Sequence, residues 1–395
     1  MKILYHHRTQ AEDGQAVHIR ALIDAFEALG HEVLEVSLVK RAAVGAGNGR
    51  EGAGRSRWGW VTRLPRFARE LAEYGYNGLA RQALMKEAAF FAPDFLYERY
   101  AFGNAAGVLA ARRLKKPLVL EVNSPMVVEL SRTRGLSFPG LARKLEDHVF
   151  RSADRVCVVT GVLRDMLIEQ GVQPERLLVT PNGVDLALYD GGDPAERRRA
   201  ARRELGLPRA REGEEEPLVL GFVGYFREWH RLDVCLRALE HPALANAVLV
   251  LVGQGPVRSA LEREAAERGV ADRLFLCGSR PHSAVPGLLP AFDVGLIPAI
   301  NPYASPLKLH EYMAARLAVI APDQPNLREV LTPDEDALLV APGDAEAMSD
   351  ALVRLAEDAA LRSRLGTAAR ATLERRELTW QANARRVIAA VKELC

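Results

Sequence analysis

The stretch KILYHHRTQAEDGQAVHIRALIDAFEALGHEVLEVSL, residues 2–38, decides the fold. Lys2 to Tyr5 is a short apolar run typical of a buried strand, and Gln15 to Leu29 has the spacing of an amphipathic helix. Gly30 ends that helix, because glycine readily adopts the left-handed conformation found after a helix. Glu32 to Leu38 is a second strand. This order predicts parallel strands covered by helices.

The same alternation continues along the chain and predicts two Rossmann-like units of six strands each. The first unit adds strands at 95–97, 117–122, 155–159 and 177–180. The second unit has strands at 217–223, 247–252, 274–277, 294–297, 318–321 and 337–340.

The length of 395 residues also favours two domains, since ordinary domains have ~150–200 residues. We predict an N-terminal Rossmann-like domain over residues 1–190 and a linker region over 191–216, made of a helix on one side of a charged linker. A C-terminal Rossmann-like domain is predicted over 217–378, and a final helix over 379–395.

Composition excludes several classes of protein. The 53 basic and 51 acidic residues give a net charge of +2, which carries no signature of nucleic-acid binding. The four cysteines form no C-x-x-C pair, so we expect neither a disulfide frame nor a metal site. MKILYHHRTQ is not a signal peptide and no apolar run is long enough to span a membrane. We expect a cytoplasmic protein, either free or peripheral to the inner face of a membrane.

Six short motifs, taken in order and spacing, resemble the GT-B glycosyltransferases, specifically the large retaining family numbered 4. They are EVNSP (121–125), TPNGVD (180–185), GFVGYFREWHRLD (221–233), VGQGP (252–256), SPLKLHEYMA (305–314) and REVL (328–331). The resemblance covers almost the whole chain. It implies an α/β fold of two Rossmann-like domains facing across a cleft, with a C-terminal helix crossing back to the N-terminal domain. The C-terminal domain would bind the nucleotide-sugar donor and the N-terminal domain the acceptor.

Glu311 matches the second glutamate of the family's Glu-x7-Glu motif, which binds the donor ribose. A carboxylate suits a vicinal diol, since it accepts two hydrogen bonds. The alternative is a solvated glutamate on a helix face. The position of the first glutamate is Tyr303, so the identity of the sugar stays open.

Ser305, Leu307 and Lys308 are the candidates for diphosphate binding. The Ser305 hydroxyl and the Leu307 N–H stand at a turn leading into a helix, where anions bind. Lys308 is a candidate catalytic cation that offsets charge on the departing diphosphate, or else an exposed lysine.

In many relatives an Arg and a Lys in the loop after Gly224 clamp the leaving phosphate, but Tyr225 and His230 stand there. Arg227 is therefore the candidate clamp, assisted by Arg231 or His230. Its alternative is a solvated loop residue.

Other donor-side candidates follow strand ends. They are Gly224 and Gly253, and Gly253 allows close approach of the backbone to a ligand. Gly14 precedes the first helix, where the family has a turn that faces the donor phosphate, or it is simply a helix cap. Arg280 is a candidate for stacking on the base, or a surface arginine.

The acceptor-side candidates are His18, Glu98, Arg99 and Asn123. Asn123 stands where relatives often have His. An amide cannot act as a base near neutral pH, which suits a retaining mechanism in which the leaving phosphate takes the acceptor's proton. His18 is either an acceptor contact or structural, and Glu98 with Arg99 either lines the acceptor or forms an ion pair.

The sequence therefore predicts a retaining glycosyltransferase. It would move a hexosyl or N-acetylhexosaminyl group from a nucleoside-diphosphate sugar to a glycan, a lipid-linked acceptor or a small glycoside. We expect no cofactor and no metal, and we interpret the Asp334 to Asp336 stretch as a polar turn. The alternatives are a GT-B nucleotide-sugar 2-epimerase and a non-catalytic protein that binds nucleotide sugars.

The glycine-rich segment 41–60 carries four arginines beside Trp58 and Trp60. It is either a solvated disordered loop or a loop that closes over an anionic or lipid-linked acceptor, with possible contact to an acidic membrane.

Overall fold

The computed structural model describes residues 1–9, 14–38, 64–208 and 215–394. The chain divides into two compact units, one made of Met1–Pro181 with Trp380–Cys395 and the other of Asn182–Thr379. We call them unit 1 and unit 2. The glycine-rich segment 41–60 lies outside the described residues.

Unit 1 is built on a parallel sheet of six strands in the order β2-β1-β3-β4-β5-β6. The strands are β1 (Lys2–His6), β2 (Glu32–Val36), β3 (Phe95–Arg99), β4 (Leu118–Val122), β5 (Arg155–Val158) and β6 (Leu177–Val179). Its helices are α1 (Gly14–Ala28), α2 (Arg66–Phe91), α3 (Ala106–Leu114), α4 (Met126–Thr133), α5 (Pro139–Ser152), α6 (Gly161–Glu169) and the last helix of the chain, α15 (Trp380–Lys392).

Unit 2 has a second parallel sheet of six strands, in the order β12-β11-β10-β7-β8-β9. The strands are β7 (Leu218–Val223), β8 (Ala247–Val252), β9 (Leu274–Leu276), β10 (Val294–Leu296), β11 (Ala318–Pro322) and β12 (Leu338–Val340). Its helices are α7 (Pro194–Glu204), α8 (Leu232–Ala238), α9 (Arg258–Glu267), α10 (Val285–Leu288), α11 (Leu307–Ala314), α12 (Pro325–Arg328), α13 (Ala345–Glu357) and α14 (Ala359–Arg375).

Helices cover both faces of each sheet, which explains why the central strands are continuous apolar runs. All six residues of β8, AVLVLV, are buried. Two glycines let large rings pack directly on the sheet of unit 2. A Cβ on Gly221 would lie 2.0 Å from the Phe292 ring, and one on Gly295 would lie 2.5 Å from the Tyr312 ring. The predicted pair of Rossmann-like domains is confirmed.

Each sheet has a point where the chain reverses the direction in which strands are added. In unit 2 this point lies between β7 and β10, and in unit 1 between β1 and β3. Ligands of open parallel sheets bind outside the carboxyl ends of the strands at such a point. The order of the strands thus marks where each unit can hold a ligand.

The division between the units differs from the predicted one. Unit 2 begins at Asn182 rather than after residue 190, and α7 lies within the segment predicted as a linker. Asp293 accepts hydrogen bonds from Arg198 at 2.8 Å and Arg202 at 3.2 Å, and these ion pairs hold α7 in unit 2. In the sequence the same arginines look like a solvated charged stretch.

The last helix belongs to unit 1, where α15 packs against α1. The Trp380 ring lies 4.7 Å from the ring of His18, edge to face. Across the described ranges, no helix is both long enough and apolar enough to cross a bilayer.

Candidate active site

Tyr312 fixes α11 at the end of β7 in unit 2. The pairing of β10 with β7 reaches only Gly221, so the later N–H groups of β7 need other acceptors on that side. The Val223 N–H donates to the Tyr312 hydroxyl at 3.0 Å. Since Tyr312 is on α11, this bond holds the helix at the carboxyl end of β7.

Lys308 lies in the first turn of α11 and reaches back over β7. Its Nζ is 3.7 Å from the centroid of the Phe222 ring, and a Cβ on Gly224 would lie 3.0 Å from that Nζ. Burial lowers the pKa of Lys308 to about 7, against the opposing effect of Glu311. Among the described residues the ammonium group forms no ion pair. A poorly solvated cation without a carboxylate partner is suited to an anionic ligand.

Gly224 and Gly253 keep the ends of β7 and β8 free of side chains. Both have φ of +143°, which side-chain-bearing residues rarely adopt. A Cβ on Gly253 would lie 1.9 Å from the Gly224 carbonyl oxygen. The two backbones therefore approach each other as closely as glycine alone allows, next to Lys308.

The turn before α11 is held by Asn182 of the TPNGVD motif. The Asn182 N–H donates to the Ser305 hydroxyl at 3.1 Å, and its side-chain amide donates to the Ser305 carbonyl at 2.5 Å. Pro306 is the N-cap residue and provides no side-chain cap, so Leu307 begins the helix with its first N–H groups uncapped. Such N–H groups favour an anion.

Glu311 lies one turn after Lys308 on α11 and is only 6% exposed. Its Oε1 is 2.5 Å from Nε2 of His282, a residue that the sequence analysis did not single out. His282 follows Arg280 in the loop after β9, so this contact brings that loop to α11. Arg280 itself is exposed and donates to the Ser279 carbonyl at 3.4 Å. Position after a strand was the one signal in the sequence that could have pointed to His282.

In the predicted clamp loop, Arg227 is the cation without an ion-pair partner among the described residues. Arg227 is exposed and stacks on the Tyr225 ring at 4.9 Å. Burial, together with the charge of Lys308, lowers the pKa of His230 to about 3, so this histidine is neutral. Arg231 donates to both carboxylate oxygens of Asp233, at 3.0 and 3.2 Å. His230 therefore brings no charge to this loop and the charge of Arg231 is paired with Asp233, while the assistance expected from either residue stays a prediction.

Tyr303, at the position of the family's first glutamate, is 8% exposed. Asn326 fixes the loop that contains Tyr303, because its side-chain amide donates to the carbonyls of Ala304 at 2.7 Å and Asn301 at 3.3 Å. A fixed aromatic side chain thus replaces a carboxylate at this point of unit 2.

Glu121 organises the ligand-binding edge of unit 1, although it was not among the predicted site residues. This buried carboxylate accepts hydrogen bonds from Tyr97 at 2.9 Å and Asn123 at 2.5 Å. It is also 3.1 Å from His18 Nε2 and pairs with Arg99. Burial raises the pKa of Glu121, but His18 and Arg99 outweigh it and hold the pKa below its usual range. Asn123 and Arg99 are fixed by this carboxylate.

A cavity of about 310 Å³ lies at the same edge, between the ends of β1, β3 and β4. Arg8, Thr9, Arg99 and Asn123 contribute to its lining. Asn123 donates one amide N–H to Glu121, and its amide oxygen can accept a hydrogen bond from a ligand hydroxyl. Gly14 begins α1 and is exposed.

Glu98 does not line this cavity and does not pair with Arg99, because neighbouring residues of a strand point to opposite faces. It is fully buried, 2.5 Å from His6 Nδ1, and accepts from the Gly107 N–H at 2.9 Å. Both expectations for Glu98 are therefore wrong. In the part of the chain that the structure describes, no group of three metal-ligating side chains is found.

Two family models match the chain. Residues 208–372 match the family described as Glycosyl transferases group 1, and residues 13–188 match Glycosyltransferase Family 4. A D-inositol 3-phosphate glycosyltransferase of Thermomonospora curvata is 30% identical over 75% of this chain and 70% of the relative. The enzyme of the same name from Salinispora tropica is 29% identical over 74% of this chain, and the chain spans 62% of that relative's length.

Solved structures share the fold over the full length of the chain. Anabaena Alr3699/HepE, solved in complex with UDP, superposes with a TM-score of 0.74 at 15% identity and covers all of both chains. Sucrose-phosphate synthase from Thermosynechococcus elongatus superposes with a TM-score of 0.74 at 20% identity, over 100% of this chain and 99% of the other. The predicted GT-B fold is confirmed.

Proposed function

The chain belongs to the Glycosyl transferases group 1 family, and on that premise we propose that it moves a glycosyl group from a nucleoside-diphosphate sugar to an acceptor hydroxyl with retention of anomeric configuration. One observation carries this function. Lys308 is a cation without a carboxylate partner among the described residues, set against the Gly224 backbone with Glu311 one turn away. A diphosphate flanked by a ribose has the charges and hydroxyls that fit such a pair.

In this proposal the diphosphate lies over Gly224 and Gly253 and at the uncapped start of α11. Lys308 and Arg227 offset its charge, and Glu311 accepts hydrogen bonds from the ribose diol once His282 releases it. The base lies near Arg280. HepE, whose complexes with UDP and with UDP-glucose share this fold, supports a uridine nucleotide as the first donor to test.

The chemical step breaks the bond between C1 of the sugar and the phosphate oxygen. The acceptor oxygen forms the new bond to C1 on the same face, and its proton passes to the departing phosphate oxygen. Negative charge grows on the diphosphate as its bond to C1 breaks, so Lys308 and Arg227 stabilise the transition state more than the bound donor. Asn123 orients the acceptor hydroxyl without taking the proton.

The acceptor binds in the cavity of unit 1 and is a glycan, a lipid-linked compound or a small glycoside. The relatives named D-inositol 3-phosphate glycosyltransferases support a small polyol or its phosphate as a first acceptor to test. The transferred group is a hexosyl or an N-acetylhexosaminyl residue, and the buried Tyr303 is expected to influence which of the two is accepted.

Calorimetric titration with UDP, GDP and ADP tests this function in wild type and Glu311→Ala. Loss of a charged hydrogen bond of ~1.5–3 kcal/mol should weaken the preferred nucleotide by about tenfold or more. Glu262→Ala, on the exposed face of α9, is the matched control and should leave binding unchanged. Equal affinities in wild type and Glu311→Ala would exclude this donor site.

A turnover assay separates the transferase from its alternatives. The donor, labelled in the sugar, is incubated with and without a panel of polyols, polyol phosphates and glycosides. Transfer that requires an acceptor supports the proposal. Conversion of the donor sugar without acceptor would indicate an epimerase, and donor binding without any turnover would indicate a non-catalytic protein.

A further inference from the structure

Arg8 is a cation at the cavity of unit 1 that no predicted function uses. It follows β1, beside the point between β1 and β3 where a ligand is expected. Its guanidinium lies 4.7 Å from the centroid of the Tyr76 ring, and Nη1 donates to the Phe102 carbonyl at 3.3 Å. These contacts hold the guanidinium in place without neutralising its charge.

Three acidic side chains of unit 1 that the structure describes, Glu73, Glu98 and Glu121, have partners other than Arg8. Glu73 accepts from Arg134 at 3.3 and 3.1 Å, and Glu121 pairs with Arg99. Glu98 is bonded to His6 and to the Gly107 N–H. Among the described residues Arg8 itself forms no ion pair. Within the described ranges, no carboxylate therefore pairs with the Arg8 charge at this cavity.

Burial of the Arg8 guanidinium in an empty cavity is unfavourable in free energy. Loss of solvent on burial lowers the pKa of Arg8 from its usual value, and the nearby Arg134 lowers it further, although Glu73 raises it. Removing a cation from water without a partner destabilises a fold. A charged ligand would offset that cost, since guanidinium binds carboxylate and phosphate oxygens through two parallel hydrogen bonds.

We propose that Arg8 binds an anionic group of the acceptor, a phosphate monoester or a carboxylate, in the cavity where Asn123 contacts the acceptor hydroxyl. The inference rests on the proposed function and names the substrate class of the same site. The Thr9 hydroxyl, in the same wall, is a further donor to the anion. The volume of about 310 Å³ is at the lower end of the ~300–1,000 Å³ of ligand pockets, which fits one small anionic ring.

Two matched pairs of compounds test the anion. D-inositol 3-phosphate is compared with myo-inositol, and glucuronate with glucose, by calorimetry in the presence of saturating UDP. UDP fills the phosphate site of unit 2, so the acceptor site is measured alone. In wild type we expect the charged member of at least one pair to bind about tenfold or more tightly than its neutral partner. The two pairs distinguish a phosphate site from a carboxylate site.

Arg8→Gln should abolish that preference while leaving the affinity for the neutral compound unchanged. Arg8→Lys, which keeps the charge, should retain part of it. Arg113→Gln is the control, because this exposed arginine near the end of α3 lies outside the cavity and carries the same charge. Circular dichroism melts show whether each variant folds. If Arg8→Gln does not fold, Arg8→Lys provides the test, because a preference that depends on the Arg8 guanidinium should fall in this variant and stay unchanged in Arg113→Gln.

Equal binding of charged and neutral compounds in wild type would overturn the inference. So would a preference that survives in folded Arg8→Gln, or the absence of binding by all four compounds when UDP is bound. Failure of the proposed function is distinguishable, because the protein would then not bind UDP in the first titration.

Discussion

Lys308, on α11, is the residue that the proposed function pairs with the negative charge of the donor. Its ammonium group is held against Gly224 and the Phe222 ring, where burial lowers its pKa to about 7. The protonation of Lys308 therefore changes with pH near neutrality. In the proposed function a diphosphate binds the charged form, which would link donor binding to protonation of Lys308.

We expect the dissociation constant for UDP-glucose to rise with pH above 7 and to level off below 6. The sign follows because, above its pKa, Lys308 must take up a proton before it can pair with the diphosphate. The rise approaches about tenfold per pH unit for one linked proton. Calorimetry in buffers of different ionisation enthalpy measures the proton uptake directly.

Lys308→Met should bind the donor more weakly and remove most of this pH dependence. His230 stays neutral over the whole range and cannot replace it. A dissociation constant that does not change between pH 6 and 9 in wild type would show that Lys308 does not contact the diphosphate.

At the residue scale the sequence predicted the groups that stand in motifs, and the structure brings Lys308 and Glu311 together on α11. It did not single out Glu121, His282 or Arg8. Their significance depends on partners far away in the chain, such as His18 for Glu121 and Tyr76 for Arg8. Neither the periodicity of apolar residues nor the spacing within a motif predicts those contacts. Glu98 was misjudged for the same reason, because its partner is His6 rather than its neighbour Arg99.

The close approach of the ends of β7 and β8 depends on Gly253. Alanine at this position would bring its Cβ to 1.9 Å from the Gly224 oxygen and would require a φ of +143°. We expect Gly253→Ala to destabilise unit 2 by several kcal/mol or to displace the Gly224 loop and abolish donor binding.

Gly287→Ala is the control for this change. Gly287 lies in α10 with nothing within 4 Å of its added Cβ and no positive φ, so alanine should be neutral or slightly stabilising. Chemical denaturation and UDP titration measure both variants. Wild-type stability and affinity in Gly253→Ala would contradict the packing described for these strand ends.

Glu146, on α5, is expected to make the stability of unit 1 depend on pH. This buried carboxyl accepts from the Val127 N–H at 3.1 Å and from the Tyr100 hydroxyl at 3.2 Å. Burial raises its pKa from 4.5 to about 7, although both hydrogen bonds lower it. The folded pKa is above the unfolded one, so this group's contribution to stability is complete below pH 4.5 and is lost as pH rises through 7.

Glu146→Gln should reduce the decline in the melting temperature of unit 1 between pH 5 and 8. The largest effect expected from the shift is about 3 kcal/mol. Glu169→Gln, the same change on the exposed face of α6, should retain the wild-type dependence. An identical pH profile for Glu146→Gln and wild type would show that this carboxyl does not titrate in that range.

At the scale of elements, the sequence predicted the two series of strands well because parallel strands are short apolar runs bounded by turns. It allowed a helix beside the charged linker, where α7 lies, but it did not show that Asp293 binds the arginines of α7 and holds this helix in unit 2. The predicted boundary, at residue 190, therefore lies after the boundary at Asn182 in the structure. Strand order was not predicted from the residues, since it depends on pairing between distant segments.

For the molecule as a whole, each unit presents polar groups at the point where its strand order reverses. Unit 2 presents Lys308 and Glu311 on α11, and unit 1 presents Asn123, Arg99 and Arg8 around its cavity. The first set suits a nucleoside diphosphate and the second a hydroxylated acceptor. The fold itself was predictable because the motifs of the resembled family run through both units. The acceptor was not predictable, since most residues that line the cavity of unit 1, such as Arg8, Thr9 and Arg99, lie outside those motifs.

The central claim, transfer with retention, is tested most directly by the anomeric configuration of the product. UDP-α-glucose, or another α-linked donor bound in the titrations, is incubated with the acceptor that gives turnover, and the new linkage is assigned from the anomeric proton by nuclear magnetic resonance. We predict an α-linked product formed only in the presence of acceptor. A β-linked product would contradict the account.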